Sequence, residues 1–325
     1  MNEVGVMKLR FIECYIPKHL FVGIDEIKKW DGVVWADVKT NNSISTIQIL
    51  TTLKDSEKIV DKLKEEFGGA NYRIVVFEPT MTYPPIEEKE DKEPERLIRE
   101  ELYNVVADIA KLNKDNIMML LLSTIVAIAG IYKNDVVLLI ASMIIAPLLS
   151  PHIALALSIT VADYKLALKS IKTIVVELLI VIVISAIAGH YLPINLENPQ
   201  IHSRITLDLW NVIIALSAGI AGSLSTITNI SSSVVGVMIA IALLPPLVVF
   251  GLLIGAGYVG YSFSAFILFL INMIAINLSA VAIFSSYGVS PYKWWEKEKA
   301  KKYTIYAIIL WLSLLVFVFV LIFTR

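Results

Sequence analysis

The chain of 325 residues is 57% hydrophobic and 18% charged, with a mean hydropathy of +0.72, which lies outside the range of soluble globular proteins. A formal net charge of -1 excludes a general attraction to nucleic acid. The single cysteine, Cys14, excludes an intrachain disulfide or a multi-cysteine metal site. Most of the charge falls in residues 1–115 and the long apolar runs fall in residues 116–325, a distribution that predicts a soluble head followed by a membrane body. The first residues carry no apolar core with a small-residue cleavage site, so no secretory signal is expected.

Within the head, residues 7–16 alternate as a strand does, and a helical stretch over residues 20–30 follows. Gly32 marks a turn. Residues 33–39 and 44–51 read as two strands joined at Asn41-Asn42. Asp55 is the expected N-cap of a helix reaching Phe67, in which Ile59, Val60, Leu63 and Phe67 recur at helical spacing. Residues 72–77 complete the order βαββαβ, which predicts a ferredoxin-like α+β sandwich over residues 1–78. Residues 79–95 hold four prolines, six acidic residues and two lysines, the composition of a solvated linker. Residues 96–112 place Leu97, Ile98, Leu102, Val105, Val106, Ile109 and Leu112 on one face of an amphipathic helix. That face either lies on the membrane surface or packs against the body.

Residues 113–325 form the expected transmembrane domain. Seven apolar stretches are candidate spans, near residues 117–132, 136–162, 172–192, 209–230, 234–259, 263–286 and 304–323. At about 1.5 Å per residue most can cross a hydrocarbon core of roughly 30 Å. Lys165, Lys169 and Lys172 in one loop, and Lys293, Lys297, Lys299, Lys301 and Lys302 in another, place those loops inside. The expected arrangement is a multi-pass protein of the cell membrane, with the head cytoplasmic and the C-terminus outside.

Two of the spans carry prolines. Pro147 and Pro151 lie four residues apart, and each removes a backbone donor and crowds the carbonyl one turn back, so a break is expected there. A second break is expected at Pro245-Pro246. The offset 245 − 147 = 98 also places Val136 on Val234, Leu149 on Leu247 and Ala167 on Ala265, giving two halves of span, broken span, span. Three spans per half is an odd number, so the expected relation is an inverted repeat.

Polar groups inside spans are costly and therefore informative. Ser123 and Thr124 can bond back to their own helix. Ser142 and Ser150 flank the first break. The run from Ser223 through Ser225, Thr226 and Asn229 to Ser233 either lines a vestibule or packs helices. Glu177 is the only carboxylate deep in a span, with a proton or cation role weighed against a structural hydrogen bond. His152 either titrates or bonds a freed carbonyl, and Asn272 and Asn277 complete the set. No metalloprotease, nucleotide-loop or nucleophile-elbow motif is present, so neither an enzyme nor a cofactor is expected.

The stretch from Leu121 to Gly130 and the run Ala141-Ser142-Met143-Ile144-Ile145-Ala146-Pro147-Leu148-Leu149-Ser150-Pro151 resemble the prokaryotic membrane family of domain of unknown function 389. Ser150 stands where many relatives are expected to carry glycine. The resemblance implies a multi-span membrane protein and no particular substrate. The resulting expectation is a transporter or channel for a small solute or ion, its path between two proline-broken helices, regulated or brought into a homo-oligomer by the head. A sensor or scaffold whose head binds a ligand or partner is the alternative.

Overall fold

The computed structural model describes residues 9–20, 23–41, 43–67, 72–80, 82, 99–228, 232–291 and 294–323; for residues 99–100, 109, 232–242, 294–295 and 321–323 it describes the backbone alone. The expected linker lies mostly outside these, as do Asn42 and Asn229. The chain divides into two compact units, Met1–Arg99 and Glu100–Arg325.

In the first unit the strands are β1 (Leu9–Pro17), β2 (Val33–Thr40), β3 (Ile44–Thr52) and β4 (Arg73–Phe77), with helices α1 (Ile24–Ile27) and α2 (Leu53–Phe67) between them. They form one antiparallel sheet in the order β2-β3-β1-β4. Alternation sends Ile12, Cys14, Ile16, Ile47 and Ile49 to one face, where they bury Ile59, Val60 and Leu63 of α2. Two expectations change in detail. The first helix is one turn preceded by a 3-10 turn at Lys18–Leu20, shorter than the 20–30 stretch. Asp55 is not the cap of α2: Thr52 is, its hydroxyl accepting from Asp55 N at 3.1 Å and donating to Asp55 Oδ2 at 3.0 Å. The local preference for an acidic residue was real, but it belongs to the third helical position.

The second unit is helical: α3 (Arg99–Ile109), α4 (Lys114–Tyr132), α5 (Val136–Ile145), α6 (Leu149–Thr160), α7 (Tyr164–Tyr191), α8 (Pro199–Ile205), α9 (Leu209–Thr228), α10 (Ser232–Gly255), α11 (Val259–Ser286) and α12 (Trp294–Phe323). Among the described residues five helices are long and apolar enough to cross a membrane, and α5 with α6 is a sixth candidate bent by 45°. Apolar faces exposed on α4, α7 and α12, such as Ile125, Val183 and Phe317, suit a lipid solvent. By contrast α11 is central: 72% of its apolar window is buried, against 11% for α12. Both α6 and α10 pack on α7 and on α11.

The second expected break is absent. Pro245 and Pro246 lie inside the continuous helix α10, among the fully buried Leu244, Leu247 and Val248. Apolar packing on α7 and α11 holds the helix together across the two missing donors. The closest packing is between α7 and α10, where a Cβ on Gly189 would stand 2.0 Å from Leu252 O and one on Gly255 would stand 1.9 Å from Ala186 O. Glycine there permits backbone-to-backbone contact.

The element boundaries follow a spacing of 95 rather than 98. Lys114 and Leu209 open α4 and α9 (209 − 114 = 95), and Tyr164 and Val259 open α7 and α11 (259 − 164 = 95). Both α7 and α11 are 28 residues long. Asn113 accepts from Asn116 N at 2.7 Å, and Asp208 accepts from Asn211 N at 3.0 Å, so the starts of α4 and α9 are capped alike. The ends of α6 and α10 share one hydrogen-bonded turn: Asp163 N reaches Ser158 O and Tyr258 N reaches Leu253 O, with Ala162 (φ 55) and Gly257 (φ 84) left-handed between. At this spacing Pro151 matches Pro246 (246 − 151 = 95) and Glu177 matches Asn272 (272 − 177 = 95).

Candidate functional site

Helix α5 stops because Pro147 has no N–H for Met143 O and forces the preceding residue out of the helical region. Ala146 is accordingly extended (φ −69, ψ 124), and its N–H makes the last helical bond, to Ser142 O at 3.1 Å. Helix α6 restarts at Leu149, which puts Pro151 third in the first turn, where its missing donor costs no helical bond. The break thus brings the carbonyl end of one helix beside the N–H end of the next. These ends carry opposite partial charge.

The polar residues around it have distinct fates. Ser142 is buried and donates to Leu139 O at 2.6 Å. Ser150, half-buried in the first turn of α6, makes no hydrogen bond to a described residue. His152 is buried one turn into α6, with Nδ1 2.9 Å from Asn277 Nδ2 on α11. Asn277 also donates to Met273 O at 2.8 Å. That second bond fixes the amide, because turning it over would set Oδ1 against a carbonyl. His152 Nδ1 therefore accepts, and Asn277 Oδ1 is left buried with no partner among the described residues.

On α7 the buried stripe carries Ser170, Thr173, Glu177 and Ser185. Ser170 donates to Leu166 O at 2.9 Å and Thr173 to Ala110 O at 3.1 Å. Ser185 Oγ has no partner among the described residues. Glu177 is 2% exposed, and its carboxyl makes no hydrogen bond or ion pair with any described residue. A carboxylate removed from water without a partner is costly, so such a group must meet a proton, a cation or a water.

Several other hydroxyls serve their own helices, while Ser279 on α11 donates to Leu216 O on α9 at 3.2 Å. Ser123 and Thr124 both donate to Leu120 O. Ser223 donates to Gly219 O, Thr226 to Gly222 O and Thr228 to Leu224 O. Ser225 and Asn272 are buried. Of the expected site residues, the structure brings His152 and Asn277 into contact and places Pro245 and Pro246 in an apolar layer. Among the described residues no group of three His, Cys, Asp or Glu is placed to hold a metal ion.

One pair escaped the reading of the sequence. Tyr103 on α3 donates to Asp163 Oδ2 at 2.6 Å, across 60 positions of chain. Asp163 caps α7 through Oδ1, accepting from Lys165 N at 2.9 Å and Leu166 N at 3.0 Å. Burial pushes the Asp163 carboxyl up, but the bonds from Tyr103 and from the Leu166 and Lys165 amides outweigh it and hold the group below the ordinary carboxylate value. The same bond pushes the Tyr103 phenol up to about 12. An acidic residue at the head of a span was a usable signal for the cap, but nothing local in the sequence pointed to its tyrosine.

The family model described as domain of unknown function 389 matches residues 143–278, which contain the break, His152, Glu177, Asn272 and Asn277. An uncharacterized protein of Methanocaldococcus jannaschii is 80% identical over 317 residues, covering 97% of this chain and 99% of its own length. The chain belongs to the domain of unknown function 389 family. That relative is similar over both units, whereas the family model matches only part of the second. No solved structure matches the chain.

Proposed function

We propose that this protein moves a small solute or ion across the cell membrane, along a path that includes the α5–α6 break and Glu177. The observation that carries the reading is Glu177 itself: an acidic side chain, 2% exposed, on an apolar 28-residue helix, with no described partner. Structural carboxyls at such depth are ordinarily paired, and unpaired ones mark proton or cation routes.

The topology in this reading has seven spans: the five long helices, the bent pair, and α10 with its 24 residues. Two contacts support alternating direction. Tyr103 before α4 meets Asp163 before α7, while Asn198 after α7 donates to Ile131 O at the end of α4 at 2.7 Å. The 95-residue spacing supports an inverted repeat of α4–α7 and α9–α11, with α12 added. The head, whose βαββαβ order and sheet arrangement fit a ferredoxin-like domain, is cytoplasmic and regulates the membrane unit or joins copies of the chain; the C-terminus is outside. Cysteines placed at Lys133 and Ser232 are expected to label from opposite faces, and labelling of both from one face would defeat this topology.

A second reading, a non-transporting sensor or scaffold, draws on the dry layer around Pro245 and Pro246 and on a cleft of about 590 Å³ in the head, lined by Tyr15, Ser43, Tyr72 and Arg73 among others. Uptake into vesicles reconstituted with the full chain, screened over monovalent ions and small metabolites, tests the choice. Solute-specific flux is the expected result. Silence from folded protein across the panel would transfer the reading to the sensor.

A further inference from the structure

Helix α3 follows the expected linker in the chain and, with the turn after it, presents Leu102, Val106 and Ala110, spaced at four residues, as a fully buried stripe. It therefore packs rather than lying free on a membrane surface. Two polar contacts tie it and the turn after it to the first three turns of α7. Tyr103 holds the N-cap Asp163 at 2.6 Å, and Ala110 O accepts from Thr173 Oγ1 at 3.1 Å. Between them Asp108, held below the ordinary carboxylate value by its hydrogen bond and charge contact with Lys111, also feels the cation of Lys169. From Tyr103 to Ala110, just past the end of α3, and from Asp163 to Thr173 on α7, the order of contacts is the same, so the two segments run in the same sense and meet at these two points.

The place where this contact ends gives it meaning. Thr173 is one helical turn before Glu177 on the same buried stripe of α7. Next to the fastened turn, therefore, comes the unpartnered carboxyl. We infer that α3 is a strap: fastened at Tyr103–Asp163 and Ala110–Thr173, it closes the approach to Glu177 from the end of α7 that α3 covers, and its release admits water and small solutes to that carboxyl. The inference rests on the transport reading for its purpose but not for its geometry.

The strap has chemistry suited to being undone. Its fastening at Tyr103 is one hydrogen bond to a carboxylate that stays occupied by two backbone amides when the tyrosine leaves, so α7 keeps its cap and its helix while the contact opens. Removing a hydrogen bond to a charged group shifts such a two-state contact by about tenfold or more.

The test is chemical access. In the full chain carrying Glu177→Cys, the rate of reaction with a charged, water-borne methanethiosulfonate reagent is compared with and without Tyr103→Phe and Thr173→Val. Natural Cys14 is fully buried, and burial pushes its thiol up to about 12, so it contributes a slow background that serves as an internal control. The strap predicts slow modification at position 177 with Tyr103 and Thr173 intact, and acceleration of about tenfold or more in the double variant. Tyr103→Phe alone, which keeps the ring packing, is expected to give a smaller acceleration. Equal rates in all three chains, with unchanged thermal unfolding, would overturn the proposal. Accelerated modification alongside silent flux would leave the strap standing and remove the transport reading.

Discussion

Helices α4 to α7 and helices α9 to α11 share boundaries and turn bonds at a spacing of 95 residues, yet they use their prolines and polar groups differently. Starts, lengths and turn bonds recur at 95 residues, down to the capped Asn113 and Asp208 and the left-handed Ala162 and Gly257. In the first set the inner element is broken after Ile145 and carries His152 where the second has the buried Leu247 (247 − 152 = 95). In the second the inner element is continuous, apolar around its prolines, and seated glycine-to-backbone on α7. One set supplies a polar interruption and the other a rigid support. The difference lies in the proline without a counterpart: Pro147, which ends α5, falls on Ala242 at this spacing (242 − 147 = 95), whereas the matched Pro151 and Pro246 sit in a first turn and in a helix interior and break neither helix.

The comparison breaks most visibly at Gly255. A larger side chain there meets Ala186 O, so Gly255→Leu is expected to destabilise the full chain in detergent by about 3 kcal/mol or more in denaturant unfolding. Thr160 occupies the matching place (255 − 160 = 95), and its hydroxyl bonds Leu157 O within its own helix, so Thr160→Val should cost about 1 kcal/mol or less.

The prolines give the next effect. Both rings are buried, and truncating either to alanine removes a similar volume. Only at Pro246 does the change restore a helical donor and relieve a clash, so Pro246→Ala should exceed Pro151→Ala in stability by up to about 3 kcal/mol. Equal values from the same unfolding measurement would mean that α10 relaxes around its prolines as α6 does.

A smaller gain is expected where the two turns differ by one methyl group. Ala162 holds φ 55 where Gly257 holds φ 84, and Ala162→Gly should stabilise by about 1 kcal/mol, read from the unfolding midpoint.

The smallest expected effect is a pH response at the Tyr103–Asp163 contact. The folded Asp163 carboxyl lies below its ordinary value, so its contribution is complete above the ordinary carboxylate range and is lost as pH falls through the depressed value. Tyr103, pushed up to about 12, contributes below its ordinary phenol value, and that contribution is lost as pH rises through about 12. The protection factor against hydrogen exchange in the first turns of α7, taken relative to the intrinsic rate at each pH, should therefore be flat from mild acid to mild base and fall only in strong acid or alkali. A step near neutrality would contradict the assignment.

Much of this was legible because it is local. Strand alternation around Ile12 and Ile47, the helix ending at Phe67, the amphipathic stripe of Leu102 and Val106, and the stop at Pro147 each follow from periodicity or from one missing N–H. The second proline pair misled because a local rule for helix breaking competes with packing on α7 and α11, which no window of sequence contains. The 98-residue spacing misled for a related reason. Chance identities among Val, Leu and Ala are common in apolar spans, whereas the 95-residue spacing is carried by caps and turn hydrogen bonds that only the folded backbone reveals. Long-range pairs such as His152–Asn277 and Tyr103–Asp163 leave no local trace beyond a polar residue out of place.

Glu177 tests the account most directly. Glu177→Gln keeps the side-chain shape and removes the charge, and thermal unfolding measured alongside tells whether the fold survives. Flux through the purified, reconstituted chain at two pH values should depend on pH with Glu177 and lose that dependence with glutamine, while unfolding stays the same. Unchanged flux and an unchanged pH response in the glutamine variant would contradict a route through Glu177.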